Sequence, residues 1–181
     1  MRRVLVPLVA VFAALAGCER HELSSGPPPP SETAVQGNRA PAPISFTPAS
    51  GTGRSGTFTI RFADPDGRAD LHWGQVIFND DVSGTTACYL HLQAGALHLM
   101  NDAANAILGP MQPGGRGALE NSQCRIDAAG VSVSNKDDAV TLRVSIEFKS
   151  ALRGSQIIRV RAADRSGHTL EWLPAGNWEI R

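Results

Sequence analysis

His91 and His98 flank the dipeptide Ala94-Gly95. If that dipeptide closes a two-residue hairpin, Leu92 faces Leu97, His91 faces His98 and Tyr89 faces Met100, and two imidazoles lie side by side on one sheet face. Two imidazoles are half of a zinc or copper site. No His-x-Glu, His-x-x-x-His or paired-cysteine spacing supplies a third ligand, so the expectation is a pair of exposed strand histidines on a solvated face and no bound metal. Asp64, Asp66 and Asp70 offer the carboxylate oxygens that calcium prefers, but the segment lacks the distal bidentate Glu and the alternating ligand positions of a full calcium loop. A capped turn is expected there. The adjacent pairs Asp80-Asp81 and Asp137-Asp138 point to opposite sides of a strand or occupy turns, and read as solvated turns. No Gly-x-Ser-x-Gly elbow, P-loop, dinucleotide glycine motif or His-Glu-x-x-His occurs, so neither an enzyme nor a cofactor is expected. The run from Gly109 to Gly117 has no following helix to aim its amides at an anion and reads as a mobile loop.

The elements that must carry these residues are strands. With 18 Gly, 12 Pro and only 19% charged residues, the composition favours short strands joined by turns over long helices. Thr57 to Phe62 alternates strictly, with Phe58, Ile60 and Phe62 on one face and Thr57, Thr59 and Arg61 on the other. Val140 to Phe148 repeats the pattern, turning Val140, Leu142, Val144, Ile146 and Phe148 inward. Leu71–Phe78, Cys88–Leu92, Leu97–Met100, Ile157–Ala163 and Thr169–Ile180 supply further strands, and no segment reads as a long amphipathic helix. Asp64-Pro65-Asp66-Gly67 and Asp164-Arg165-Ser166-Gly167 have the residue chemistry of tight turns. Seven or more strands at this spacing predict an all-β, two-sheet antiparallel sandwich of the immunoglobulin or fibronectin type III sort over residues 44–181.

Ahead of that domain the chain changes character twice. Arg2 and Arg3 precede an apolar stretch from Val4 to Ala16, broken only by Pro7, and small residues lead to Cys18, which is the layout of an export signal over residues 1–17. The stretch is shorter than the 18 or more residues of a spanning helix. Leu15-Ala16-Gly17-Cys18 resembles the bacterial lipobox. The resemblance implies that Cys18 is lipidated with diacylglyceryl and palmitate-type chains, becomes the first residue of the mature protein, and holds it stably on a membrane. Glu19, rather than Asp, implies delivery to the outer membrane of the cell envelope. Residues 18–43 are rich in Pro, Ser and charge and include Pro27-Pro28-Pro29-Pro30, so they read as a tether extending about 3.1 Å per residue where polyproline II forms. Losing Arg2 and Arg3 from 17 basic residues leaves 15 against 17 acidic ones, a balance with no electrostatic footprint for nucleic acid.

Across residues 42–181 a second resemblance emerges. Pro48-Ala49-Ser50-Gly51, Asp64-Pro65-Asp66-Gly67, Ala87-Cys88-Tyr89, Leu99-Met100-Asn101-Asp102, Leu108-Gly109-Pro110, Asn121-Ser122-Gln123-Cys124 and Gly176-Asn177-Trp178 resemble an immunoglobulin-like module repeated in large secreted proteins of environmental bacteria. That module has paired cysteines and ends on a Trp strand, and it brings no catalytic or ligand residues. With Cys18 lipidated, Cys88 and Cys124 are left in an oxidising compartment where pairing is the default. Closing a loop of about 36 residues stabilises a domain by roughly 4 kcal/mol in the chain-entropy model.

Three functions remain open at this level. The first is a membrane-anchored, non-catalytic binding module at the cell envelope, with a protein or glycan partner met by loops or by Trp73, Trp172 and Trp178. The second is a structural envelope component or accessory subunit that pairs through an edge strand. The third is a metal-dependent hydrolase or metal-binding protein, for which His91 and His98 are the one opening.

Overall fold

Alternating hydrophobicity does produce a two-sheet sandwich. The structure, a computed structural model, describes residues 37–181, so the expected signal peptide, the lipidated Cys18 and the tether as far as residue 36 lie outside it. Thirteen strands follow in chain order: β1 Ala42–Thr47, β2 Ser50–Thr52, β3 Ser55–Ala63, β4 Leu71–Asn79, β5 Cys88–Gln93, β6 Ala96–Met100, β7 Ile107–Met111, β8 Ala118–Glu120, β9 Cys124–Asp127, β10 Val131–Lys136, β11 Ala139–Phe148, β12 Gly154–Asp164 and β13 Thr169–Ile180. Short 3-10 turns at Ala128–Gly130 and Ser150–Leu152 are the helical elements among the described residues.

One sheet runs β1-β3-β11-β9-β8, with β10 also on β11, and the other runs β2-β13-β12-β4-β5-β6-β7. Pairing is antiparallel except where β2 joins β13 in parallel. The two most regular segments of the sequence, β3 and β11, pair along nearly their whole length, from Ala139 opposite Ala63 to Glu147 opposite Ser55. Their inward residues Phe58, Ile60, Phe62, Leu142, Val144, Ile146 and Phe148 are buried. Val140 at the start of β11 is half-buried.

Rings from both sheets meet in the core. Phe58 lies 5.0 Å from Phe78 and 5.0 Å from Trp178, the latter edge to face. Such contacts add directional attraction to area burial. Close packing here demands glycine opposite the rings: a Cβ on Gly74 would stand 2.6 Å from the Phe62 ring, and one on Gly51 would overlap Trp178. Cys88 on β5 and Cys124 on β9 form the expected disulfide across the two sheets, with Cα atoms 5.6 Å apart.

Two expectations need correction. The packed domain starts before residue 44, because Asn38 and Arg39 already bond the Asp64–Asp70 turn and β1 begins at Ala42. Polar side chains satisfy that segment where hydrophobic periodicity gives no sign of it. The glycine-rich run is not wholly a loop either: Gly109, Pro110 and Met111 belong to β7, where Gly109 takes φ +115° beside a register shift against β6. Only glycine adopts that conformation readily, so its presence there permits the bulge rather than signalling mobility.

Candidate functional site on the outer face of the seven-stranded sheet

Ala94 and Gly95 take φ +50° and +78°, the left-handed pair of a tight hairpin, and set Leu92 opposite Leu97 and His91 opposite His98 as the sequence predicts. The imidazole centroids are 5.8 Å apart. The surroundings differ from the expectation. His91 is only 7% exposed and His98 half-buried, so the pair does not lie on a solvated face. Trp73 on β4, with its ring 6.1 Å from His91, and the polar chains of β4 and β12 help enclose it.

Hydrogen bonds order this face. The Arg161 guanidinium can only donate, so the atom of Gln75 that it meets through Nε is the amide oxygen. The Tyr89 hydroxyl donates to the same oxygen at 2.7 Å. The Gln75 amide nitrogen is thereby turned to His91 and donates to Nδ1 at 2.8 Å. Nδ1 must accept, and the neutral ring carries its proton on Nε2. That proton points along a long 3.5 Å contact to the Gln93 oxygen, and the Gln93 nitrogen donates to Nε2 of His72 at 3.1 Å. A directed chain thus runs from Arg161 to His72. Burial chiefly holds His91 below its ordinary pKa of 6.5, and Coulombic repulsion of a protonated ring by its basic neighbours His98, His72 and Arg161 adds to this against the Gln93 bond. Burial lowers His98 as well.

Arg161 sits between two indoles, 4.6 Å from the Trp172 centroid and 5.3 Å from Trp73. It forms no ion pair with a carboxylate among the described residues. Trp178, the third candidate for an exposed patch, is instead core, with its indole nitrogen donating to the Gly53 carbonyl at 2.9 Å. Two clefts open where the bonded chain ends. One of about 410 Å3 is lined by His72, Gln93, His98, Pro110, Gln112 and Arg165 among others. The other, of about 280 Å3, includes Arg68, His72, Trp73, Asn135 and Arg165.

No third metal-ligating side chain joins His91 and His98 among the described residues, and Nδ1 of His91 is committed to Gln75. The acidic candidates rearrange. Asp64 and Asp70 do come together, but Asp66 turns away to Arg39, and the third carboxylate is Asp164 from the other turn. Asp80-Asp81 and Asp137-Asp138 lie exposed in turns as expected. Sequence reasoning missed Gln75, Gln93 and Arg161. No signal in the sequence separates them from ordinary outward polar residues of a strand, since the solvated face of the other sheet also carries long polar side chains such as Arg61 and Arg143. No protein-family model and no curated protein matches the chain.

Proposed function

We propose that the chain is a lipid-anchored, non-catalytic binding module of the bacterial cell envelope, carried on Cys18 and a proline-rich tether, and that it binds a glycan on the outer face of its seven-stranded sheet. One observation carries the reading: Arg161, free of carboxylate partners among the described residues, is clamped between Trp73 and Trp172 over a fully bonded Gln75–Tyr89–His91 base. Indole faces stack on sugar rings, and a guanidinium bonds a carboxylate or phosphate in bidentate fashion. The site therefore suits an acidic sugar. It is pre-organised, so binding costs little side-chain ordering.

Export and anchoring follow from the lipobox-like Leu15-Ala16-Gly17-Cys18, and the tether gives the face reach from the membrane. Titrating the full chain in detergent with uronic-acid oligosaccharides, and following tryptophan fluorescence, tests the reading. Saturable binding that Arg161→Ala and Trp172→Ala each weaken at least tenfold is the expected result. Lack of binding by the wild type, to these and to a panel of neutral and phosphorylated glycans, would favour instead a structural envelope component. Such a component would pair through an edge such as β7, where Ile107 is 53% exposed.

A further inference from the structure

Three acidic side chains from two turns meet at the end of the sandwich where the chain enters it. Asp64 follows β3, Asp70 precedes β4, and Asp164 closes β12, and one carboxylate oxygen from each lies within 4.8 Å of the others. Asp64 is 0% exposed and Asp164 1%. Burial pushes the Asp64 carboxyl above its ordinary value and the neighbouring carboxylates add to this, whereas Asp164, despite its burial, is held below its own by its bonds to His168.

The partners leave one vacancy in the bonding. Asp64 Oδ1 accepts the Asp66 amide at 2.8 Å, but Oδ2, equally buried, has no hydrogen-bond partner. Asp70 Oδ2 accepts from the Asn38 side chain at 2.6 Å. Asp164 accepts the His168 amide at 2.8 Å and its Nδ1 at 3.0 Å. The neighbouring arginines are engaged elsewhere: Arg39 with Asp66 and the Pro65 carbonyl, Arg68 with the Asp137 carbonyl, Arg165 with the Ala69 carbonyl and Arg61 with Asp138. Exposed His168 is the one basic side chain bonded to any of the three carboxylates among the described residues.

We infer that Asp64, Asp70 and Asp164 hold a divalent cation, and that the cation is calcium. All the converging atoms are oxygens, which excludes a preference for zinc or copper. Calcium accepts six to eight oxygens in irregular arrangements, so three carboxylates supplemented by water satisfy it, whereas magnesium demands near-octahedral order. Asp64 Oδ2 is the oxygen left free for it. Because Asn38 bonds both Asp70 and Ser166, at 2.6 and 2.7 Å, the ion ties the entering segment to both turns. Calcium is thus a stiffener of the domain at the root of its tether, separate from the Arg161 face.

The full chain, stripped with a chelator and kept in detergent, tests this by thermal unfolding and by terbium luminescence, with Trp as the donor. Added calcium should raise the midpoint progressively with its logarithm, as binding to the native state requires, and magnesium at equal concentration should do so far less. Terbium emission should appear and be displaced by calcium. Asp64→Asn and Asp164→Asn, each close to isosteric, should lose both responses while retaining the near-ultraviolet dichroism of the folded core. A wild-type chain whose midpoint ignores calcium and which sensitises no terbium overturns the inference. So does a calcium response that survives in Asp64→Asn and Asp164→Asn alike.

Discussion

The outer faces of the two sheets differ in kind. On the six-stranded sheet, β3 and β11 turn Thr57, Arg61, Arg143 and Glu147 to solvent, and the bond between Thr57 and Ser145 hydroxyls, at 2.9 Å, is exposed. On the seven-stranded sheet the corresponding positions hold Gln75, Ile77, Tyr89 and His91, none more than 9% exposed. Ile77 and Tyr89 even form a second small hydrophobic cluster with Ala87, flanked by Met100 and Trp172. A sandwich needs one buried face per sheet. A second one carrying planar, polar and cationic side chains in a fixed bonding order is not required by folding, and that excess marks where recognition is to be sought.

The largest effect acts on both faces at once. Reducing Cys88–Cys124, which joins β5 to β9 across a sequence separation of 36, should cost about 4 kcal/mol and lower the urea midpoint of the whole domain. A loss confined to one sheet, seen as residue-specific hydrogen exchange, would mean that the sheets unfold separately. The next effect divides the faces. Gln75→Ala removes the acceptor shared by the Tyr89 hydroxyl and Arg161 Nε and the donor to Nδ1 of His91, leaving only the 3.1 Å bond from Arg161 to the Tyr89 hydroxyl, and should cost about 2–3 kcal/mol, near the upper end for unsatisfied buried groups. Thr57→Ala on the other sheet should stay within about 0.5 kcal/mol, as exposed substitutions do. Equal costs in a urea titration would erase the distinction between the faces.

Legibility in the sequence follows the same division. In the long strands β3 and β11, with one face core and the other solvent, period-two alternation locates the strand and names its buried residues apart from half-buried Val140, whereas the shorter alternation of β10, Val131-Ser132-Val133-Ser134, is missed. The hairpin was equally plain, since Ala94-Gly95 fixes the register that pairs His91 with His98. Short strands without alternation, β2, β8 and β9, left no such trace, because three or four residues do not complete a pattern. Burial of His91 was invisible for a different reason: it depends on β12 placing Arg161 beside β4, a contact separated by 86 residues from Gln75. The acidic group was half legible. Asp64 and Asp70 share a turn, but Asp164 arrives from the β12–β13 turn, and Asp66, adjacent in sequence, is drawn off by Arg39.

The smallest effect concerns protons. Burial keeps His91 and His98 below 6.5 in the folded chain, while unfolding releases them to that ordinary value. Between the two values the unfolded chain binds protons that the folded one does not, so stability is complete above pH 6.5, declines as pH falls from there towards the folded pKa values and levels off below them. Asp64 opposes this in more acid solution, because burial raises it above 3.8 and the folded chain takes up its proton first. A urea midpoint measured from pH 7.5 down to 5.5 isolates the histidines. It should fall by less than the Gln75 substitution costs, and His91→Gln should flatten the slope because its replacement cannot titrate. An unchanged slope in that variant would place the loss elsewhere, whereas a flat wild-type profile would mean that protonated His91 is tolerated and that the outer face is no more enclosed than its counterpart across the sandwich.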